Sequence, residues 1–180
     1  PPGFLVVCLS AASDLYKRQM STYDKWVKSH VDNRPLMHRL FNSAAYADTI
    51  STCNTLAADL FHLATIAQNA EIADKVNLYR LFTTDELYHL WQQTNIRWYL
   101  YYGASAVSGG RMPWAERPLV RDIVEKADSC LKLNHPNATM RFGHDSVVLP
   151  LVCLLDIDGY GTSTADIDSL EAYKLSLIQI

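Results

Sequence analysis

No stretch of about 18 or more consecutive apolar residues occurs in these 180 residues, so a membrane-crossing helix is excluded. Positive charge is also scarce. Sixteen Lys and Arg against nineteen Asp and Glu give a net charge of −3 and a pI near 6.1, which excludes the basic footprint of a nucleic-acid-binding surface. The four cysteines, Cys8, Cys53, Cys130 and Cys153, are widely spaced and stand in apolar surroundings. No Cys-x-x-Cys or Cys/His ligand spacing is present, so neither a zinc site nor a dense disulfide framework is expected, and buried free thiols are. Internal repeats, low-complexity tracts and Pro/Ser-rich linkers are absent as well, which argues against a second independent domain.

What is present is apolar chain: 49% of the residues are hydrophobic, enough to exclude disorder and to fill the core of one domain. The residues from Gly3 to Ala12 are rich in β-branched side chains and read as a buried strand. A secretory signal is the competing reading, although a positively charged leader and an initiator Met are lacking. From Asp14 to Val31, Leu15, Met20, Trp26 and Val27 interleave with lysines and an arginine, predicting a helix with a basic face. Asn33-Arg34-Pro35 starts another helix, with Leu36, Met37, Leu40 and Phe41 on its buried side. A long helix over roughly Ala47 to Ala70 comes next, lined by Ile50, Cys53, Leu56, Leu60 and Phe61 at three-and-four spacing.

Thr84 is expected to cap the next helix, with Asp85 and Glu86 in its first turn. The aromatics between Tyr88 and Tyr102 on that helix suit either a packed interface or stacking on a sugar or inositol ring. The small residues from Gly103 to Pro113 form a loop that delivers Arg111. Arg97, Arg111 and Arg117 are spaced so that a guanidinium could grip phosphate, and surface salt bridges with Asp85, Glu86 or Glu116 are the equal alternative. Pro118 opens a helix through about Cys130, with Leu119, Ile123, Val124, Ala127 and Cys130 expected to be buried. Asn137-Ala138-Thr139 is a glycosylation sequon beside the next expected strand.

The most informative stretch comes after it. Ala138-Thr139-Met140-Arg141-Phe142 reads as a short buried strand, Gly143 turns the chain, and an apolar run from Ser146 to Leu155 predicts a helix. His144-Asp145 then stands at a strand-to-helix turn, where anions and substrates bind in α/β sheets. By itself such a pair also fits an N-cap aspartate and a core histidine. Beyond the helix, Asp156-Ile157-Asp158-Gly159 is a turn that lacks the remaining ligands of a calcium loop, and Thr164-Ala165-Asp166-Ile167-Asp168 caps a short final helix.

Phe142-Gly143-His144-Asp145, followed by Val147-Val148-Leu149-Pro150-Leu151-Val152-Cys153-Leu154-Leu155, closely resembles the C-terminal signature of the histidine acid phosphatases. Phe82 to Tyr88 and Gly103 to Pro113 are similar to the bacterial multiple inositol polyphosphate phosphatases and phytase-like members, so the resemblance runs from about Pro35 to Gly161. It implies an α/β fold of the phosphoglycerate-mutase-like kind. A helical cap portion would occupy about 14–130, and parts of a mostly parallel sheet about 1–13 and 131–180, within a single partial domain. It implies hydrolysis of phosphomonoesters, inositol polyphosphates first among them, with His144 binding the phosphoryl group and Asp145 protonating the leaving alcohol. Arg111 and Arg141 are the expected substrate-binding arginines. No metal or cofactor is implied, and the location implied is periplasmic or secreted.

The family's nucleophilic histidine stands in an Arg-His-Gly-x-Arg-x-Pro motif, and no Arg-His-Gly occurs here. His30, His38, His62, His89 and His135 all lack its glycine and arginines. The chain is therefore expected to be a piece of the family fold that needs the remainder of its parent polypeptide. Pro1-Pro2 at the start and the apolar Leu175-Ser176-Leu177-Ile178-Gln179-Ile180 at the end suit that expectation. A non-catalytic phosphate-binding protein and a sugar-binding module on Trp91, Trp98 and Tyr102 are the alternatives.

Overall fold

The computed structural model describes residues 2–69, 71–133, 135 and 137–172, with side chains from residue 13 to residue 170. Its elements are helices α1 (Pro2–His30), α2 (Arg34–Leu40), α3 (Ala44–Thr49), α4 (Cys53–Ala67), α5 (Thr84–Tyr102), α6 (Arg117–Leu131) and α7 (Asp145–Leu154), joined by short 3₁₀ turns. No strand occurs among the described residues. The expected α/β fold with a mostly parallel sheet is therefore corrected to a mostly helical one.

Both strand expectations fail for physical reasons. The backbone over 3–12 continues the same helix as the basic segment after it. An apolar run of that length does not distinguish strand from buried helix by periodicity, and no Gly or Pro separates it from the basic segment. Residues 138–142 run without regular structure, with Met140 80% and Phe142 94% exposed. A strand exists only where a neighbour shares its backbone N–H and C=O groups, and none of the described residues does so here.

The chain divides into two compact units, 22–94 on one hand and 1–21 with 95–180 on the other. In the first, α2, α3, α4 and the 3₁₀ turn Leu78–Leu81 enclose a core of Leu36, Met37, Ala47, Ala57, Ala64, Phe82 and Leu90. Phe61 meets Tyr79 and Phe82 edge-on. Arg34 and Pro35 start α2 as expected, and Leu36 and Met37 are fully buried. The single long helix expected from Ala47 is instead two. Ser43 caps α3 by accepting a hydrogen bond from Tyr46 N–H, and Ile50, in extended backbone (ψ 107°), ends it before α4 begins. The cap of α5 falls one residue earlier than expected. Thr83 Oγ1 accepts from Glu86 N–H (3.2 Å), and Glu86 Oε2 accepts from Thr83 N–H (2.8 Å), a reciprocal capping box.

In the second unit, Ile96, Tyr99, Leu100, Leu149, Cys153 and Leu170 form the interior. Two buried polar side chains of α5 fasten the segment after α7. Asn95 Nδ2 donates to Leu170 O (3.0 Å), while the Tyr99 hydroxyl donates to Thr164 O (3.1 Å) and accepts from Thr164 N–H (2.8 Å). Gly103 is required at its place: a Cβ there would stand 2.7 Å from the Tyr99 ring and 2.8 Å from its carbonyl oxygen. Gln19 of α1, also buried, donates to Leu100 O. No helix is long and apolar enough to cross a membrane among the described residues.

Two variants test these contacts. Tyr99→Phe takes from the half-buried Thr164 N–H its acceptor and from the Thr164 carbonyl its shorter hydrogen bond, leaving that carbonyl only the Ala106 N–H at 3.4 Å, and urea unfolding should show a loss of about 1 kcal/mol; an unchanged midpoint would remove Tyr99 from this role. Glu86 behaves through charge. Burial pushes its carboxyl up, but the Arg39 guanidinium and the Thr83 N–H outweigh this and hold it below its ordinary value. A carboxyl lowered by folding stabilises above its unfolded pKa and loses that contribution as pH falls through the folded value. Glu86→Gln should therefore cost about 1 kcal/mol at neutral pH and flatten the acid limb of the stability curve as pH falls through and below the ordinary glutamate range.

Candidate phosphate site at the start of α7

The apolar run from Ser146 forms α7 as expected, with Leu149, Pro150 and Cys153 buried and the 3₁₀ turn Met112–Glu116 packed on it. His144 is the residue at the helix cap, in extended backbone (φ −86°, ψ 166°), and its carbonyl accepts the N–H groups of Val147 and Val148 at 3.0 Å each. Its imidazole makes no capping hydrogen bond and is exposed. Asp145, half-buried, takes up part of that role: its Oδ1 accepts the Ser146 N–H at 2.8 Å. Neither half of the plain alternative holds, since the histidine is not in the core and the aspartate is not the cap residue. A carboxylate in the first turn and an open imidazole stand at the positive end of the helix dipole. The approach to them is a loop rather than the expected strand.

The two predicted arginines differ. Arg141 is committed: its guanidinium donates to Asp122 Oδ2 of α6 at 2.7 Å, and Lys126 donates to the same oxygen at 2.9 Å. Lys126 and then Arg141 hold the Asp122 carboxyl below its ordinary value. Arg111, exposed, comes after Gly109 and Gly110, whose φ of 62° and 70° only glycine adopts without strain, and it begins the turn Met112–Glu116. Its guanidinium carbon lies 5.9 Å from the Trp114 ring centre. Arg117 stands over the same ring at 3.9 Å. The salt bridges weighed for these residues do not form; Glu86 pairs with Arg39, and no ion pair to Arg111 or Arg117 is made among the described residues.

The structure thus puts His144 and Asp145 together on α7 and Arg111 on the turn packed against that helix, while Arg141 is held to α6. Trp114 was not among the expected site residues. Its signal in the sequence is an arginine three residues before it and another three after it. The face of α6 expected to be buried is not: none of its residues is buried, and Val124 is 52% exposed.

Among the described cysteines, Cys53, Cys130 and Cys153 are free, and burial pushes the Cys153 thiol up, as suits an unreactive core residue. Cys8 lies outside the described side chains. The aromatics of α5 meet one another: Tyr88 stacks on Trp91, and Trp98 lies 4.8 Å from Tyr102 at 32°. Among the described residues no three His, Cys, Asp or Glu side chains gather as metal ligands. The unit 22–94 contains a polar cleft of about 730 Å³ lined by Lys28, Asp32, Asn33, Arg34, Asp48 and Thr52 among others, none of them an expected site residue.

Freeing Arg141 is a direct check on its commitment. Arg141→Ala should raise the Asp122 titration midpoint, followed by carboxyl NMR, toward the ordinary aspartate range, with the remaining depression due to Lys126. An Asp122 midpoint indifferent to the substitution would mean that Arg141 is available to a ligand.

No protein-family model matches this chain, and no curated protein sequence matches it either.

Proposed function

We propose that these residues carry the phosphate-binding and proton-donating part of a phosphomonoester hydrolase of the histidine acid phosphatase type, with inositol polyphosphates as substrates. The observation that supports it is the pair at the start of α7: an exposed imidazole at His144 beside the half-buried Asp145 carboxyl at a helix N-terminus. A helix N-terminus favours an anion, and an imidazolium there offsets charge on the phosphoryl oxygens as the group passes between oxygen and nitrogen. Asp145 in its acid form gives its proton to the leaving alkoxide as the P–O ester bond breaks. The phosphoryl group passes to a histidine nitrogen and from there to water. That nucleophilic histidine is not supplied by an Arg-His-Gly motif within these 180 residues and would come from the remainder of a parent polypeptide.

A second reading, phosphate binding without turnover, is favoured by the guanidinium groups of Arg111 and Arg117, which among the described residues have no acid partner. Phosphate release from phytate and from p-nitrophenyl phosphate, at about pH 5 and about pH 7, separates the two. The 180 residues alone should release none. A longer form bearing the Arg-His-Gly segment should turn over, and Asp145→Asn in that form should slow release by about 10²–10⁴-fold. Release by the 180-residue chain, or full activity of the Asp145→Asn form, would overturn the catalytic assignment; absence of any competent longer form leaves the binding role.

A further inference from the structure

Beyond the His144–Asp145 pair, we infer that Arg111, Trp114 and Arg117 form a clamp for a small soluble ligand carrying two neighbouring phosphate groups, with Arg117 as the residue that makes the site selective for a pair over a single phosphate. The ligand class rests on the phosphate-ester reading; the clamp itself needs neither turnover nor Asp145.

Three observations carry it. The first is shared support. Both guanidinium groups lie against one indole, at 5.9 and 3.9 Å from its centre, so their separation cannot exceed those two distances taken together. Stacking holds a guanidinium plane while leaving its N–H edge free, and that edge is what grips phosphate in a bidentate fashion. The second is the lack of competition. Among the described residues, neither arginine makes an ion pair or a hydrogen bond, whereas Arg141 and Arg39 in the same chain are both taken by carboxylates. Two like charges gathered without an acid cost free energy through repulsion, and a bound dianion relieves it. The third is access and mounting. Trp114 is 46% exposed, and it sits on a turn whose Pro113 is buried and which packs on α7 and α6, so the platform is fixed while its ligand-facing side is open. The alternative in which arginines merely shield an exposed indole predicts no preference between one phosphate and two.

The test uses the 180-residue chain and isothermal titration with pyrophosphate and with orthophosphate. Pyrophosphate should bind at least about tenfold more tightly than orthophosphate, and Arg117→Ala should lower pyrophosphate affinity by about tenfold or more and abolish the preference. Arg117→Lys, which keeps the charge and loses the planar fork, should recover only part of the affinity. Lys132→Ala, the same loss of charge at the far end of α6, should change nothing, and circular dichroism checks that each variant is folded. Asp145→Asn should also bind pyrophosphate as well as the parent chain. Failure of catalysis with the clamp intact, or of the clamp with catalysis intact, can therefore be told apart. Equal affinity for the two anions, no binding of either, or an Arg117→Ala variant that keeps the preference would overturn the clamp. Loss of binding in His144→Ala with Arg117→Ala unaffected would do the same by placing the anion at the start of α7. A polyglutamate peptide binding as tightly as pyrophosphate would replace the small ligand with an acidic protein surface.

Discussion

The hydroxyl of Tyr99 is the point on which the unit containing the candidate site depends. It is buried to 0% exposure and satisfies both backbone groups of Thr164, sixty-five residues further along the chain. Local propensity cannot make that connection, because the segment it fastens has few apolar residues of its own. Asn95 secures the same segment at Leu170. Between these anchors and α5 lies the interior against which α7 places Leu149 and Cys153. A buried polar group without a partner costs more than a typical hydrogen bond contributes, so these two side chains specify one arrangement as well as stabilising it.

The same unit spends its charges unevenly. Asp122 draws in both Lys126 and Arg141, so a ligand would have to compete with that carboxylate for Arg141, while Arg111 and Arg117 lie over the Trp114 ring without an acid partner among the described residues. From the sequence, Arg111 and Arg141 are the expected substrate-binding arginines, and Arg117 is not selected. The difference comes from which element each residue sits on: residue 141 is in open chain able to reach α6, whereas Arg111 is held at the start of a rigid 3₁₀ turn by two left-handed glycines and a buried proline.

Open apolar surface is concentrated in the chain around α6. Leu131, Met140 and Phe142 are 80% exposed or more, and no residue of α6 is buried. The alternation through 138–142 suits a strand, but hydrogen-bonded pairing is a property of two segments and not of one. The expected sheet is accordingly absent from the described residues even though its local pattern was legible.

By itself the sequence determined what depends on neighbours in the chain. Pro35 near the start of α2, a threonine cap opening α5 (placed one residue late, at Thr84 instead of Thr83), Pro118 in the first turn of α6 and the apolar run of α7 could all be read, because capping and helical spacing act over three or four residues. Its position at the head of α7 likewise made the His144–Asp145 pair visible. Tertiary structure alone decided the rest: that the β-branched start continues a helix, that one expected helix is split at Ile50, that Arg141 is occupied, and that Trp114 gathers Arg111 and Arg117. Those outcomes turn on which groups meet across the fold and which are left without a partner, and pair interactions between distant residues leave no periodic trace in the chain.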